Sequence, residues 1–465
     1  MQEPEPFDIS ADLDTPVSAW LKLAPLRPRY LLESVEGGVH LARYSFLGFG
    51  EASEFRLDSD GMLLGGQRRP RPADRSSTLA ALRQALAAAP QLAPAVDDLP
   101  FAGGLVGLAG HDIVRQFERL PSPPAGAAIP AGPDAAFLAV DSLLVFDHLT
   151  RRMALLHAGG EADRAALRRE VVRLMRGAVP GNGGGGRVAA PSASLSKAEF
   201  CARVEQVKRY IGSGDVYQLV LSVRFAGEHA LSPFETYRAL RLLNPSPYMF
   251  YVDAGDLQVV GSSPEALVRL RHGQASLRPI AGTRPRGADR AEDQANETSL
   301  LADEKENAEH VMLVDLARND LGRVAATGSV RVDPFRSIER YSHVMHIVSG
   351  VRGELAAGRD AFDLFAAAFP AGTLVGAPKV RAMQLIDELE PVRRGVYGGT
   401  VGYFAGNGDM DQAIAIRSLV FSNGQYSYQA GAGIVADSVP EAEYREVLAK
   451  SAILRRALAM AEEGL

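Results

Sequence analysis

Residues 181–186 read Gly-Asn-Gly-Gly-Gly-Gly, within a stretch from Gly177 to Ser194 that carries little apolar surface. Such a run cannot offset its own ordering entropy by burial, so it resists incorporation into a packed element. It divides the 465-residue chain into an expected N-terminal region, 1–176, a linker, 177–195, and a C-terminal region, 196–465. The length exceeds one ordinary core, which agrees with two lobes or one large composite domain.

The apolar pattern within each region sets the fold class. Short runs such as Tyr30–Ser34, Ala42–Gly48, 53–65, Phe101–Ala109, Ala135–Asp147 and Arg152–His157 have strand character, with Glu36-Gly-Gly38 as a turn. After the linker, strands are expected at Asp215–Phe225, Tyr248–Val252, Leu257–Ser262, 342–354, Gly395–Phe404, Asp411–Phe421 and Gln425–Ala430. Helical periodicity marks 161–176, 197–211, 232–243, 297–320 and 440–463. Strands and helices do not alternate as βαβ units. The expectation is an α+β fold with a largely antiparallel β-sandwich core and helices packed outside.

Composition excludes several functions. Net charge is −6, so no global basic field points to nucleic acid or anionic lipid. No run reaches the roughly 18–20 apolar residues of a membrane span. The acidic start, Met-Gln-Glu-Pro-Glu-Pro, lacks the apolar core of a signal peptide. The single cysteine, Cys201, forbids an internal disulfide or a cysteine metal cluster and reads as a buried thiol on a helix. A soluble, cytoplasmic protein is expected.

Candidate chemistry lies in the second region. Residues 369–379, Phe-Pro-Ala-Gly-Thr-Leu-Val-Gly-Ala-Pro-Lys, fit no regular element, since Pro370 and Pro378 break ladders and Gly372 and Gly376 permit unusual angles. The stretch is either an interhelical loop or a turn that meets an anion. Glu306 and Glu309, and likewise Glu443 and Glu446, sit three apart on helices, either as solvated acidic faces or as a Mg²⁺ site with few protein carboxylates. Arg417, in an apolar strand, needs an internal carboxylate or an anionic ligand. Gly431-Ala432-Gly433 reads as a turn that could cradle a carboxylate. Lys379 and Lys450 are surface lysines or anion contacts. His346, alternating with apolar neighbours, is a core histidine or an acid/base.

Taken together, these stretches resemble the chorismate-utilising enzymes, most closely their anthranilate-forming branch. The motifs are Pro279–Gly287, Glu309–Asp320, His343-Val-Met-His346, 369–390 and Ala430–Ser438. The resemblance implies Mg²⁺ on a chorismate carboxylate, addition of ammonia at C2, loss of the C4 hydroxyl and elimination of pyruvate. It implies Glu309 and Glu446 as metal ligands, with Glu306 and Glu443 nearby. Substrate contacts would be Gly282, Thr283, Tyr397, Arg417, the backbone of Gly431, Ala432 and Gly433, and Lys450, with Thr373 in the same pocket. Glu265 would be the general acid and His346 the histidine of pyruvate elimination.

The resemblance also addresses the branch. Water-adding members carry a lysine where this chain has Gln218, and aminodeoxychorismate-forming members a lysine where it has Ala281. Both positions favour anthranilate and hence tryptophan biosynthesis. The rival expectations are aminodeoxychorismate formation and a catalytically silent binding subunit. Leu31-Leu-Glu-Ser34 and Asn244–Phe250 resemble a feedback site for L-tryptophan, with Ser34, Pro247, Tyr248 and Met249 as contacts. Val375 stands where the family usually has serine, and His111 where it usually has tyrosine. Cys201 lacks the context of a glutaminase nucleophile, so ammonia is expected from a separate glutamine amidotransferase subunit.

Overall fold

The computed structural model describes residues 6–35, 43–121, 132–181, 185–340 and 344–465. The expected turn at 36–38, Ala42, residues 182–184 of the glycine run and residues 341–343, including His343, lie outside them.

Among the described residues, the strands form one sheet of 21 strands and a separate sheet of three, with eleven α-helices. The long pairings are antiparallel: Tyr44–Asp58 with Ala135–Asp147, and Gln218–Glu228 with Gln425–Ile434. The sheet runs across both sides of the 177–195 segment. Pro28–Glu33 pairs with Tyr248–Asp253, and Gly104–Ala109 with Thr400–Ala405. Gly107 permits the close approach anticipated for the Phe101–Ala109 run, because a Cβ there would collide with the Ala136 carbonyl.

Side chains of period two sort onto two faces. Tyr30, Phe46, Ala136 and Val145 enter one apolar cluster, while Leu31, Leu47, Phe137 and Phe146 enter the other. The first cluster contains strand and loop residues only, including Phe101, Leu108, Val259 and Tyr403, so it is the interior of the expected sandwich. The second includes helix residues Leu82, Phe200, Leu240, Phe365, Leu385 and Leu454, which is where the helices cover the outer face.

Several boundaries differ from expectation. The helix expected at 297–320 is two helices, Arg290–Ala302 and Glu304–Gly322, separated at Asp303. Asp303 leaves helical geometry and caps the second helix by accepting from the Glu306 N–H. The strand expected at 411–421 is broken into Met410–Ile414 and Ser418–Ser422. Arg417, at φ +50, makes the left-handed corner between them, so it occupies a bend and not a strand end. The 342–354 run yields Val344–Val348 in the small sheet and Val351–Glu354 in the large one. The strand expected from Gly395 begins at Thr400. Cys201 is half-buried and not buried.

Candidate functional site

A cavity of about 530 Å³ opens between the small sheet, the 372–374 turn, the Arg417 corner and the strand Gln425–Ile434. Glu265, Thr283, His346, Thr373, Tyr397, Arg417, Gly431, Gly433 and Lys450 line it, as does Ala281. These expected residues come from eight separate stretches of chain, which converge only in the folded protein.

Gly431-Ala432-Gly433 is a correction to the expected turn: all three lie within the strand Gln425–Ile434. The register nevertheless frees the groups a carboxylate needs. Gly433 faces Val220 and Gly431 faces Ser222. Val220 donates its N–H to the Val375 carbonyl and Ser222 to the Glu390 carboxylate. Those pairs are therefore the non-hydrogen-bonded ones of the ladder, and the Gly431 and Gly433 N–H groups point away from it. A Cβ at Gly431 would stand 2.8 Å from the Tyr397 hydroxyl, so only glycine leaves this backbone accessible. Ala432 has the opposite parity and its methyl is in the core. Gln429, two residues earlier on the cavity face, was not anticipated; the period-two alternation that places Gly431 also places it.

Arg417 is half-buried, and among the described residues no carboxylate forms an ion pair with its guanidinium. Burial lowers its pKa, and the nearby Tyr397 only partly offsets this. A desolvated cation aimed into a cavity with outward backbone N–H groups is a receptor for an anion. Lys450 donates to the Gly431 carbonyl at 3.1 Å and pairs with Glu446 at 2.7 Å, which ties the anion side of the cavity to the acidic helix Pro440–Glu463.

Glu265 has the reverse electrostatics. Its carboxyl is buried, and desolvation pushes its pKa from 4.5 up to about 7, against smaller lowering effects of Thr373 and Lys450. Thr373 donates to it at 3.0 Å. The turn carrying Thr373 is fixed by Gly376, at φ +130, whose Cβ would run into the Gln218 carbonyl. Val375 in the same turn packs in the core and does not line the cavity, while its carbonyl accepts from Val220. A protonated carboxyl near neutral pH is a proton donor.

His346 alternates as expected: Val344 and His346 face the cavity while Met345 and Ile347 face a small apolar cluster. Its Nδ1 lies 2.9 Å from the Gly282 carbonyl and 3.1 Å from Thr283 Oγ1. Gly282, at φ +69, turns its carbonyl to the ring.

The two acidic helices meet beside the cavity. Glu309 has its pKa raised by burial, then by Glu306 and more weakly by Glu446, while a Gln218 hydrogen bond pulls the other way. Glu443 is raised by burial, with Glu446 adding to it. Glu306 differs from a free carboxylate, since Arg284 lies 3.6 Å away. Glu446 thus acts on Glu309 from the facing helix, an arrangement that a cation relieves. No group of three or more His, Cys, Asp or Glu side chains is set to hold a metal among the described residues. Lys379 is not an anion contact: it pairs with Asp320 at 2.7 Å.

A second cavity of about 1170 Å³ is lined by Ser34, Pro247, Tyr248 and Met249. Tyr248 donates to Asp411 at 3.0 Å, and Arg269 pairs with the same carboxylate at 2.6 Å. The two cavities share Pro247, Pro264 and Ile280 as a common wall.

Comparison with known proteins places this geometry. Residues 27–456 match the family model described as chorismate binding enzyme. The chain is 47% identical over 461 residues to anthranilate synthase component 1 of Thermus thermophilus, covering 98% of this chain and 97% of the relative. It is 45% identical over 487 residues to the protein of that name from Pseudomonas aeruginosa, covering 99% and 96%. Among solved structures, anthranilate synthase component I from Streptococcus pneumoniae superposes with a TM-score of 0.79 at 36% identity, covering 89% of this chain and 92% of that one. The menaquinone-specific isochorismate synthase of Escherichia coli shares the fold, with a TM-score of 0.71 at 21% identity, covering 96% and 92%.

Proposed function

The chain belongs to the chorismate binding enzyme family, and we propose that it is a lyase that converts chorismate and ammonia to anthranilate, pyruvate and water, as the large component of an anthranilate synthase. The observation that carries this reading is the opposed pair of desolvated groups in one cavity: Arg417, a cation without an ion-pair partner among the described residues, and Glu265, an acid still protonated near neutrality. The first suits a substrate carboxylate, and the second a hydroxyl that must leave as water.

Chorismate lies with one carboxylate on Arg417, Tyr397, Lys450 and the outward N–H groups of Gly431 and Gly433. The donor set of Glu309 and Glu446, in which Glu446 adds to the raised pKa of Glu309, fits a hard divalent cation with few protein ligands. Mg²⁺ bound there, with Glu306 and Glu443 nearby, would neutralise the other substrate charge. Ammonia adds at C2 while Glu265, oriented by Thr373, protonates the departing C4 hydroxyl. The second half loses the C2 proton and breaks the C3–O bond, and the enolpyruvyl group takes up a proton and leaves as pyruvate. His346, held by Gly282 and Thr283, serves this step. Gln218, near Glu309, has no basic nitrogen to activate water, and Ala281 offers no nucleophile on the cavity wall.

The larger cavity, with Ser34, Pro247, Tyr248 and Met249, is the feedback site for L-tryptophan in this reading. Its shared wall with the smaller cavity gives the inhibitor a short route to the substrate. The nitrogen comes from a glutamine amidotransferase subunit, and the segment 177–195 separates a region that contributes Ser34 to the feedback site from a catalytic region that supplies Pro247, Tyr248 and Met249. No described helix is long and apolar enough to cross a membrane.

The experiment is a comparison of nitrogen donors. With chorismate and Mg²⁺, the purified chain makes anthranilate from ammonium and none from glutamine. Glutamine becomes a donor once a glutaminase subunit is added. Turnover of glutamine by this chain alone would contradict the partner, and no product from ammonium would contradict the activity.

A further inference from the structure

Glu390 and Arg394 form an ion pair at 2.8 Å whose side chains are 4% and 1% exposed. Neither lines the substrate cavity. A buried pair is a poor source of stability, since well-packed apolar residues often serve as well. Its hydrogen bonds show what else it does. Arg394 Nε and Nη2 meet both Glu390 oxygens at 2.9 and 2.8 Å. Its Nη1 donates to the Leu374 carbonyl at 2.6 Å, beside Thr373, and its Nη2 to the Val220 carbonyl at 2.8 Å. Its guanidinium carbon stands 5.6 Å from the centre of the Tyr397 ring. Glu390 accepts from the Ser222 N–H at 2.9 Å and hydroxyl at 2.6 Å, and that hydroxyl accepts from Gln429 at 2.7 Å.

One guanidinium therefore joins the Thr373 turn, the Tyr397 ring and the strand that fixes the register of Gly431 and Gly433. These three parts come from different stretches of chain and must agree to fractions of an ångström if acid and anion receptor are to face one substrate. A lysine has no planar fork and cannot make these bonds together.

We propose that Arg394, held by Glu390, is a positioning residue for this reaction: it sets the Thr373–Glu265 acid against the Tyr397–Gly431 carboxylate receptor. The inference rests on the chorismate reading above and goes beyond it, because the pair touches no substrate atom.

The test uses two variants of the full chain, Arg394→Lys and the apolar double replacement Arg394→Met with Glu390→Met, with chorismate consumption as the readout. Arg394→Lys retains its fold by circular dichroism, loses about 10–100-fold in kcat and moves the alkaline limb of the kcat–pH profile as the Thr373 hydrogen bond loosens. The double replacement melts no lower than Arg394→Lys yet keeps the low kcat, which separates positioning from stability. Wild-type kcat in either folded variant, with an unmoved pH limb, overturns the proposal. So does a kcat that recovers in step with the melting temperature. Because chorismate loss is measured, a wild-type product other than anthranilate overturns the proposed function alone. A wild-type chain that consumes no chorismate overturns both.

Discussion

Thr373 Oγ1 donates a hydrogen bond of 3.0 Å to Glu265 Oε1, joining the glycine-rich turn after one helix to a carboxyl 108 positions earlier. The bond gives the turn its purpose. It orients a buried acid whose proton affinity desolvation has already raised, and it restrains that rise, since a donor favours the ionised form.

The pH dependence of turnover follows from Glu265. Its pKa of about 7 leaves the proton in place below neutrality and removes it above. With ammonium held at constant free ammonia, kcat falls as pH rises through about 7. Thr373→Val removes a donor to the ionised form, so the alkaline limb moves to higher pH while kcat drops through lost orientation. A limb that stays fixed in Thr373→Val would remove Glu265 from the acid role.

The same group affects stability, with a definite sign. As pH rises from 4.5 to about 7, the unfolded chain releases the Glu265 proton before the folded one does. Stability therefore declines across that window, by about 3 kcal/mol in total, and levels off above it. Glu265→Gln has no such proton. Its melting temperature should exceed the wild-type value at pH 8, and the gap should close near pH 4. An equal gap at both pH values would show that the carboxyl is not desolvated.

Arg417 is a cation that the folded chain leaves without an ion-pair partner among the described residues. Arg417→Met should melt at or above the wild-type temperature, because it removes a desolvated charge. It should also raise KM for chorismate by about 100-fold, the value of roughly 3 kcal/mol for a lost charge-assisted bidentate contact. A KM within threefold of wild type would place the substrate carboxylate elsewhere.

Ser34 lines the larger cavity, across the Pro247–Pro264–Ile280 wall from the substrate. Ser34→Leu should raise the tryptophan concentration for half-inhibition by about tenfold or more, equivalent to about 1.4 kcal/mol of lost binding. Inhibition curves that overlay would move the inhibitor site out of this cavity.

Sequence and structure agree where local pattern decides the outcome. Strand alternation placed His346 on the cavity face, and one-turn spacing placed each glutamate pair on one helical side. Pattern fails where a single residue reverses it. Asp303 ends one helix and caps the next inside an unbroken polar run. Arg417 turns a continuous apolar stretch through a left-handed corner that nothing in its neighbours announces. Gly431 and Gly433 look like turn residues because glycine is usually found there. They sit in a strand because only a residue without a Cβ leaves room for Tyr397 and Gln218. The Glu390–Arg394 pair was not legible at all. Its meaning lies in Leu374, Val220 and Ser222, which are up to 174 positions away.

The most direct measurement is the identity and stoichiometry of the products. Wild-type chain, chorismate, Mg²⁺ and ammonium are incubated, and the products are separated by chromatography. The same assay is run on Glu309→Gln. Anthranilate and pyruvate are expected in equal amounts from the wild type, and neither from the folded variant at any Mg²⁺ concentration. Aminodeoxychorismate or isochorismate without anthranilate, or full turnover by Glu309→Gln, would contradict this expectation.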